Sequence, residues 1–171
     1  MEWRGVEIHP EVPPEGLEWP PYLRVRFGGM SEMLREEARQ AGLEMVVPEI
    51  IPKSRRALEA AEYAREQGHH EAFHKIVFRK FYGEGQDLSN WSVLCAAAEE
   101  VGLDAEAMQQ KTESGQYTSI IDGRIAELRT LGASGVPLYI FDRKYAVIGL
   151  RPYEAFQEVM EHIEADNAKV G

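Results

Sequence analysis

The chain has 171 residues, 44% of them hydrophobic and 28% charged, with a net charge of -10 at pH 7. That suits one domain with its own core; the acidity sets it against nucleic-acid phosphates, and no apolar run reaches the roughly 20 residues of a membrane span. A single cysteine, Cys95, excludes an internal disulfide and any CxxC motif within these residues. Met1 leads directly into Glu2-Trp3-Arg4 rather than into an apolar leader, so a cytoplasmic location is expected, with neither nucleic acid nor membrane as a partner.

In chain order, "MEWRGVEIH" alternates Trp3, Val6 and Ile8 among polar residues and reads as a strand over Glu2 to Ile8. "PEVPPEGLEWPPY" carries five prolines and reads as a rigid connector without regular structure. In "SEMLREEARQAG", Ser31 and Gly42 bracket a helix as N-cap and C-cap. "LEMVVPEIIPK" is an apolar loop, and Ser54 is placed to cap "SRRALEAAEYAREQG", which stops at Gly68. "HEAFHKIVFRKFYGEG" puts Phe73, Ile76, Val77 and Phe81 on one stripe, and "SNWSVLCAAAEEVG" does the same with Trp91, Leu94, Cys95, Ala98 and Val101. A short helix follows Asp104, and a longer one stripes Tyr117, Ile121, Ile125 and Leu128. The period then changes. "LYIF" and "YAVIG" read as strands joined through Asp142-Arg143-Lys144 into an antiparallel hairpin. "RPYEAFQEVMEHIEADN" closes the chain as a helix burying Phe156, Val159, Met160 and Ile163.

The chemistry-bearing residues are few. Lys53, Arg55 and Arg56 form the densest basic cluster and read as a solvated helix start. His70-Glu71-Ala72-Phe73-His74 has the spacing of a zinc-protease helix, but with no recognisable third ligand it reads as a solvated helix end, and no metal is expected. Cys95 lies in an apolar stripe beside Glu99 and Glu100, so it reads as a small hydrophobe rather than a nucleophile. Phe27-Gly28-Gly29 is too short for a phosphate loop, and no nucleophile elbow is present. Pro137 starts a strand after β-branched Val136; physics alone favours a trans bond there.

Taken together, "EWRGVEIHPEVPPEG", "IPKSRRALEAAEYAREQG", "FHKIVFRKFYGEGQDLSN", "VLCAAAEEVGLDAE" and "LGASGVPLYIFDRKYAVIGLRPYEAFQEVM" resemble, in order, the DsbA-like thioredoxin-fold oxidoreductases. The likeness is to their FrnE-like branch, which is related to 2-hydroxychromene-2-carboxylate isomerases and kappa-class glutathione transferases. The resemblance implies an α/β, thioredoxin-like (DsbA-like) fold with a large inserted helical domain, N-terminally truncated. Residues 1–29 and 132–171 would form the incomplete thioredoxin-like part, and residues 30–131 the helical insert.

The resemblance also implies that Val136 and Pro137 form a cis-proline loop that holds a peptide or thiol substrate by backbone hydrogen bonds. The family's CxxC would lie ahead of the strand at Glu2 to Ile8, so no catalytic residue and no cofactor carry over. Thiol–disulfide exchange is the implied family activity, and these residues alone are expected to be redox-inactive. A non-catalytic peptide-binding or assembly module, or an isomerase or glutathione-using relative, is the alternative. Loss of the central strand would expose sheet edges, which predicts a homodimer.

Overall fold

The computed structural model describes residues 1–48, 50–133 and 135–170. Glu49 and Ser134, which belong to the apolar loop and to the turn before Val136, lie outside them. The chain divides into two compact units, residues 1–124 and 125–171, and the division falls inside a helix.

The first unit is built from helices. β1 (Leu17–Glu18) pairs antiparallel with β2 (Ile50–Ile51), with Leu17 opposite Ile51. Gly16 enters β1 at φ +83°, and a Cβ there would sit 2.8 Å from Ile50 Cδ1 and 3.1 Å from Ile51 O. Only glycine accepts both the left-handed backbone and that approach. So the proline-rich stretch, expected to lack regular structure, does contribute a short strand. It also starts a helix, because α1 runs over Pro21–Gln40, ten residues earlier than Ser31. Pro21 at its first position lacks an N–H that the helix would leave unpaired anyway. The far end matches expectation: Gly42 takes φ +73°, and Leu43 N–H returns to Ala38 O at 2.8 Å.

α2 (Arg55–Glu66), α3 (His70–Phe78), α4 (Trp91–Glu100), α5 (Ala105–Glu113) and the start of α6 (Thr118–Thr130) pack around Phe73, Leu94, Met108 and Ile121, which are fully buried. Ala60, Ala64, Ala97 and Ala98 are also fully buried, so facing helices approach closely. A π-helical turn, Arg79–Gly83, extends α3. Asp104 caps α5 as read, accepting Ala107 N–H at 2.9 Å, and Asn90 caps α4. Ser54 stands at the start of α2 with helical backbone angles and makes no side-chain cap.

The strand expected over Glu2 to Ile8 does not form. Its backbone acceptors are claimed by side chains from the helices: Arg65 donates to Trp3 O, and Arg124 Nη1 donates to Gly5 O at 3.4 Å. The alternation fails too, because Trp3 and Ile8 are exposed and the buried residue is Glu7.

In the second unit, β3 (Leu138–Phe141) and β4 (Tyr145–Ile148) form the expected antiparallel hairpin, with Phe141 opposite Tyr145 and Leu138 opposite Ile148. Asp142 and Arg143 take φ 49° and 56°, and Lys144 N–H donates to Phe141 O at 3.0 Å. α7 (Tyr153–Val170) packs Phe156 edge-on against Tyr139, with ring centroids 4.9 Å apart. Phe156, Val159 and Ile163 are half-buried, but Met160 is 46% exposed and is not part of that face. No described helix is long and apolar enough to cross a membrane.

Candidate functional site

The site begins at the turn before β3. The Val136–Pro137 bond is cis, and Val136 is 48% exposed. Pro137 has no N–H to give, and its carbonyl accepts Gly149 N–H at 2.8 Å. That bond sets the phase of the ladder. Pro137, Tyr139 and Phe141 turn their backbone groups towards β4, so Leu138 and Ile140 turn theirs to the opposite edge. Among the described residues, neither those two nor Val136 has a partner on that edge. A row of alternating donors and acceptors, continuous with the Val136 turn, therefore runs along that edge without a partner among the described residues.

The two faces of the hairpin differ. Tyr139, Phe141 and Val147 lie on the face covered by α7, and the Tyr145 hydroxyl donates to Asp166 of that helix. Leu138, Ile140, Ala146 and Ile148 lie on the other face, where Ile140 is 48% and Ile148 41% exposed.

The single thiol lies in the other unit. Cys95 lies in α4 of the first unit, half-buried, with Sγ 3.7 Å from Gln109 Oε1. Burial, with Glu99 and Glu113 nearby, pushes its pKa up, which disfavours the thiolate that attacks sulfur.

The two histidines are not a solvated helix end. His70 and His74 are half-buried and stacked with ring centroids 5.9 Å apart, and Trp3 and Phe78 flank His74 at 6.0 and 4.4 Å. Arg65 Nη2 lies 2.8 Å from His70 Nε2, so that nitrogen is engaged by a guanidinium and is not free for a cation. No group of three metal-ligating side chains occurs among the described residues. Burial lowers the pKa of both rings, and Arg65 adds to the effect on His70.

The basic cluster differs most from its solvated reading. Arg55 reaches Glu59 at 2.8 Å, Asp122 at 2.7 Å, Glu7 at 3.2 Å and Thr118 O at 3.1 Å. Lys53 Nζ lies 3.0 Å from the other Glu7 oxygen and donates to Pro10 O. Arg124 holds Glu62 through two bonds of 2.7 and 2.8 Å. Apart from the i,i+4 pair Arg55–Glu59, these contacts span 43 to 67 positions, so no local spacing could have shown them. Their chemical role is mechanical, since they fasten residues 3–10 to the helices.

Comparison with known proteins follows from this geometry. A probable DsbA oxidoreductase from Streptomyces coelicolor superposes with a TM-score of 0.81 at 23% identity, over 93% of this chain and 73% of the other. A 2-hydroxychromene-2-carboxylate isomerase superposes with a TM-score of 0.77 at 20% identity, over 99% of this chain and 84% of the other. Both likenesses are of fold: a DsbA-like thioredoxin fold, mostly helical, with a small sheet. The uncharacterized protein YwbO of Bacillus subtilis (strain 168) is 28% identical over 122 residues, 70% of this chain, and the match spans 60% of that relative's length. The family model described as a DSBA-like thioredoxin domain matches residues 1–161, and the chain belongs to that family.

Proposed function

We propose that these residues are the peptide-holding part of a DsbA-like thiol–disulfide oxidoreductase scaffold, with no exchange chemistry of their own. The observation that carries this reading is the exposed Val136 turn ahead of β3, for which no backbone partner is seen among the described residues. An extended peptide is held there by main-chain bonds to Val136. Substrate selection by backbone pairing suits unfolded polypeptide, whose sequence is not known in advance. Exchange itself needs a thiolate, and the half-buried Cys95 with its raised pKa is a poor source.

Two measurements test the two parts. Insulin reduction by the purified chain should not exceed that of a Cys95→Ser control; a Cys95-dependent rate would overturn the redox half. Val136→Pro removes the backbone N–H of the turn while sparing the Tyr139 and Phe141 ladder bonds. It should weaken binding of a cysteine-free unfolded peptide at least tenfold with the fold intact by circular dichroism, and unchanged affinity would overturn the binding half. A glutathione-dependent rise in Tm would instead favour a glutathione-using relative, in line with the isomerase likeness.

A further inference from the structure

His70 sits where positive features meet. It is the first residue of α3, at the positive end of the helix dipole. Arg65 of α2 places Nη2 2.8 Å from His70 Nε2, and Arg124 of α6 adds a second guanidinium charge against the ring. The nearby carboxylates are committed elsewhere. Glu62 of α2 accepts twice from Arg124 and once from Arg65, and Glu71, the neighbour on α3, accepts from Lys75 at 2.7 Å. The His74 ring stacks on His70 at 5.9 Å. A guanidinium only donates, so His70 Nε2 accepts and the neutral ring carries its proton on Nδ1.

The same Arg65 nitrogen also donates to Trp3 O, and the Trp3 ring stacks on His74 with centroids 6.0 Å apart. Trp3 is thus tied down by a guanidinium whose second hydrogen needs a neutral His70. Further along, the segment is held by different chemistry. Glu7 meets Lys53 at 3.0 Å and Arg55 at 3.2 Å, and Lys53 donates to Pro10 O at 2.7 Å. No imidazole takes part in those contacts, and the exposed His9 faces Glu11 instead.

We propose that residues 3–10 are held by two clasps, and that a proton on His70 opens the one at Trp3 while the one at Glu7 stays closed. Protonation of Nε2 turns an acceptor into a donor and sets two cations 2.8 Å apart. The guanidinium withdraws, and Trp3 O loses the hydrogen bond it accepts. Burial, then Arg65, lowers the pKa of His70, so the clasp is closed above the ordinary imidazole value near 6.5 and opens as pH falls below it. Charge on His74 would not break the contact in the same way, because its ring meets the aromatic faces of Trp3 and Phe78. The clasp is independent of the Val136 turn.

The test is NMR on the isotope-labelled whole chain between pH 7.5 and pH 5, with His70 followed through its own ring signals. As His70 titrates, backbone order parameters of Trp3, Arg4 and Gly5 should fall from about 0.85 to below about 0.6. Those of Glu7 and Ile8 should hold. His70→Gln, whose amide oxygen still accepts from Arg65, should keep Trp3 ordered throughout. His74→Phe, which keeps the stack without a titrating ring, should retain the change, with Tm at pH 7.5 checked for both variants. A Trp3 signal unmoved through the His70 titration of the unaltered chain would overturn the proposal with no variant needed. So would mobility that spreads to Glu7 at the same pH, or a change that survives in His70→Gln and vanishes in His74→Phe.

Discussion

Arg124 shows why residue-level reading stops short. In the sequence it is one charge on a striped helix; in the fold it is a nearly buried guanidinium bonded twice to buried Glu62 and once to Gly5 O. A buried pair is not by itself a large gain, but removing one partner strands the other. Arg124→Ala should therefore cost about 3 kcal/mol, at the low end for broken buried pairs because Arg65 still reaches Glu62 at 3.2 Å. Chemical denaturation checks this, and a loss under about 1 kcal/mol would contradict it. Arg143 poses the opposite case. Its left-handed backbone costs a non-glycine residue about 1–2 kcal/mol, while glycine loses up to about 1 kcal/mol more entropy on folding. Arg143→Gly should thus raise stability by a few tenths to about 1 kcal/mol. A variant that is less stable would show that the side chain has a structural role.

At the scale of elements, the periodic segments were legible. α2 to α7, the hairpin and the Asp104 cap lie where apolar spacing and capping chemistry put them. The misses share one cause, which is that long-range partners override local pattern. The alternating Trp3, Val6 and Ile8 would suit a strand, but Arg65 and Arg124 occupy the backbone acceptors of that segment. α1 begins at Pro21 because proline is compatible with a first turn, although five prolines made the region look irregular. The histidines of α3 carry a consequence for stability. Arg65, Glu62, Arg124 and His74 surround His70, and burial together with Arg65 lowers its pKa. The unfolded ring then binds a proton more readily than the folded one, so stability is full above the ordinary pKa near 6.5 and falls as pH drops below it. Tm should decline between pH 7 and pH 5, and His70→Gln, whose amide oxygen can still accept from Arg65, should flatten that decline. A Tm that rises on acidification through this window would contradict the assignment.

At the scale of the whole molecule, the family was legible from the ordered set of segments, and the match over residues 1–161 shows it. The candidate site was legible only in part. Val136 and Pro137 stand out in the sequence, whereas the phase of the ladder beside them follows from a single bond, Gly149 to Pro137. The account's central claim is that the Val136 turn receives an extended chain. The most direct measurement is amide hydrogen exchange by NMR on the isotope-labelled chain, with and without a saturating cysteine-free unfolded peptide. The amide of Val136 should become protected while those of Tyr139 and Phe141, already inside the hairpin, change little. Protection confined to the helices, or none at Val136, would contradict it.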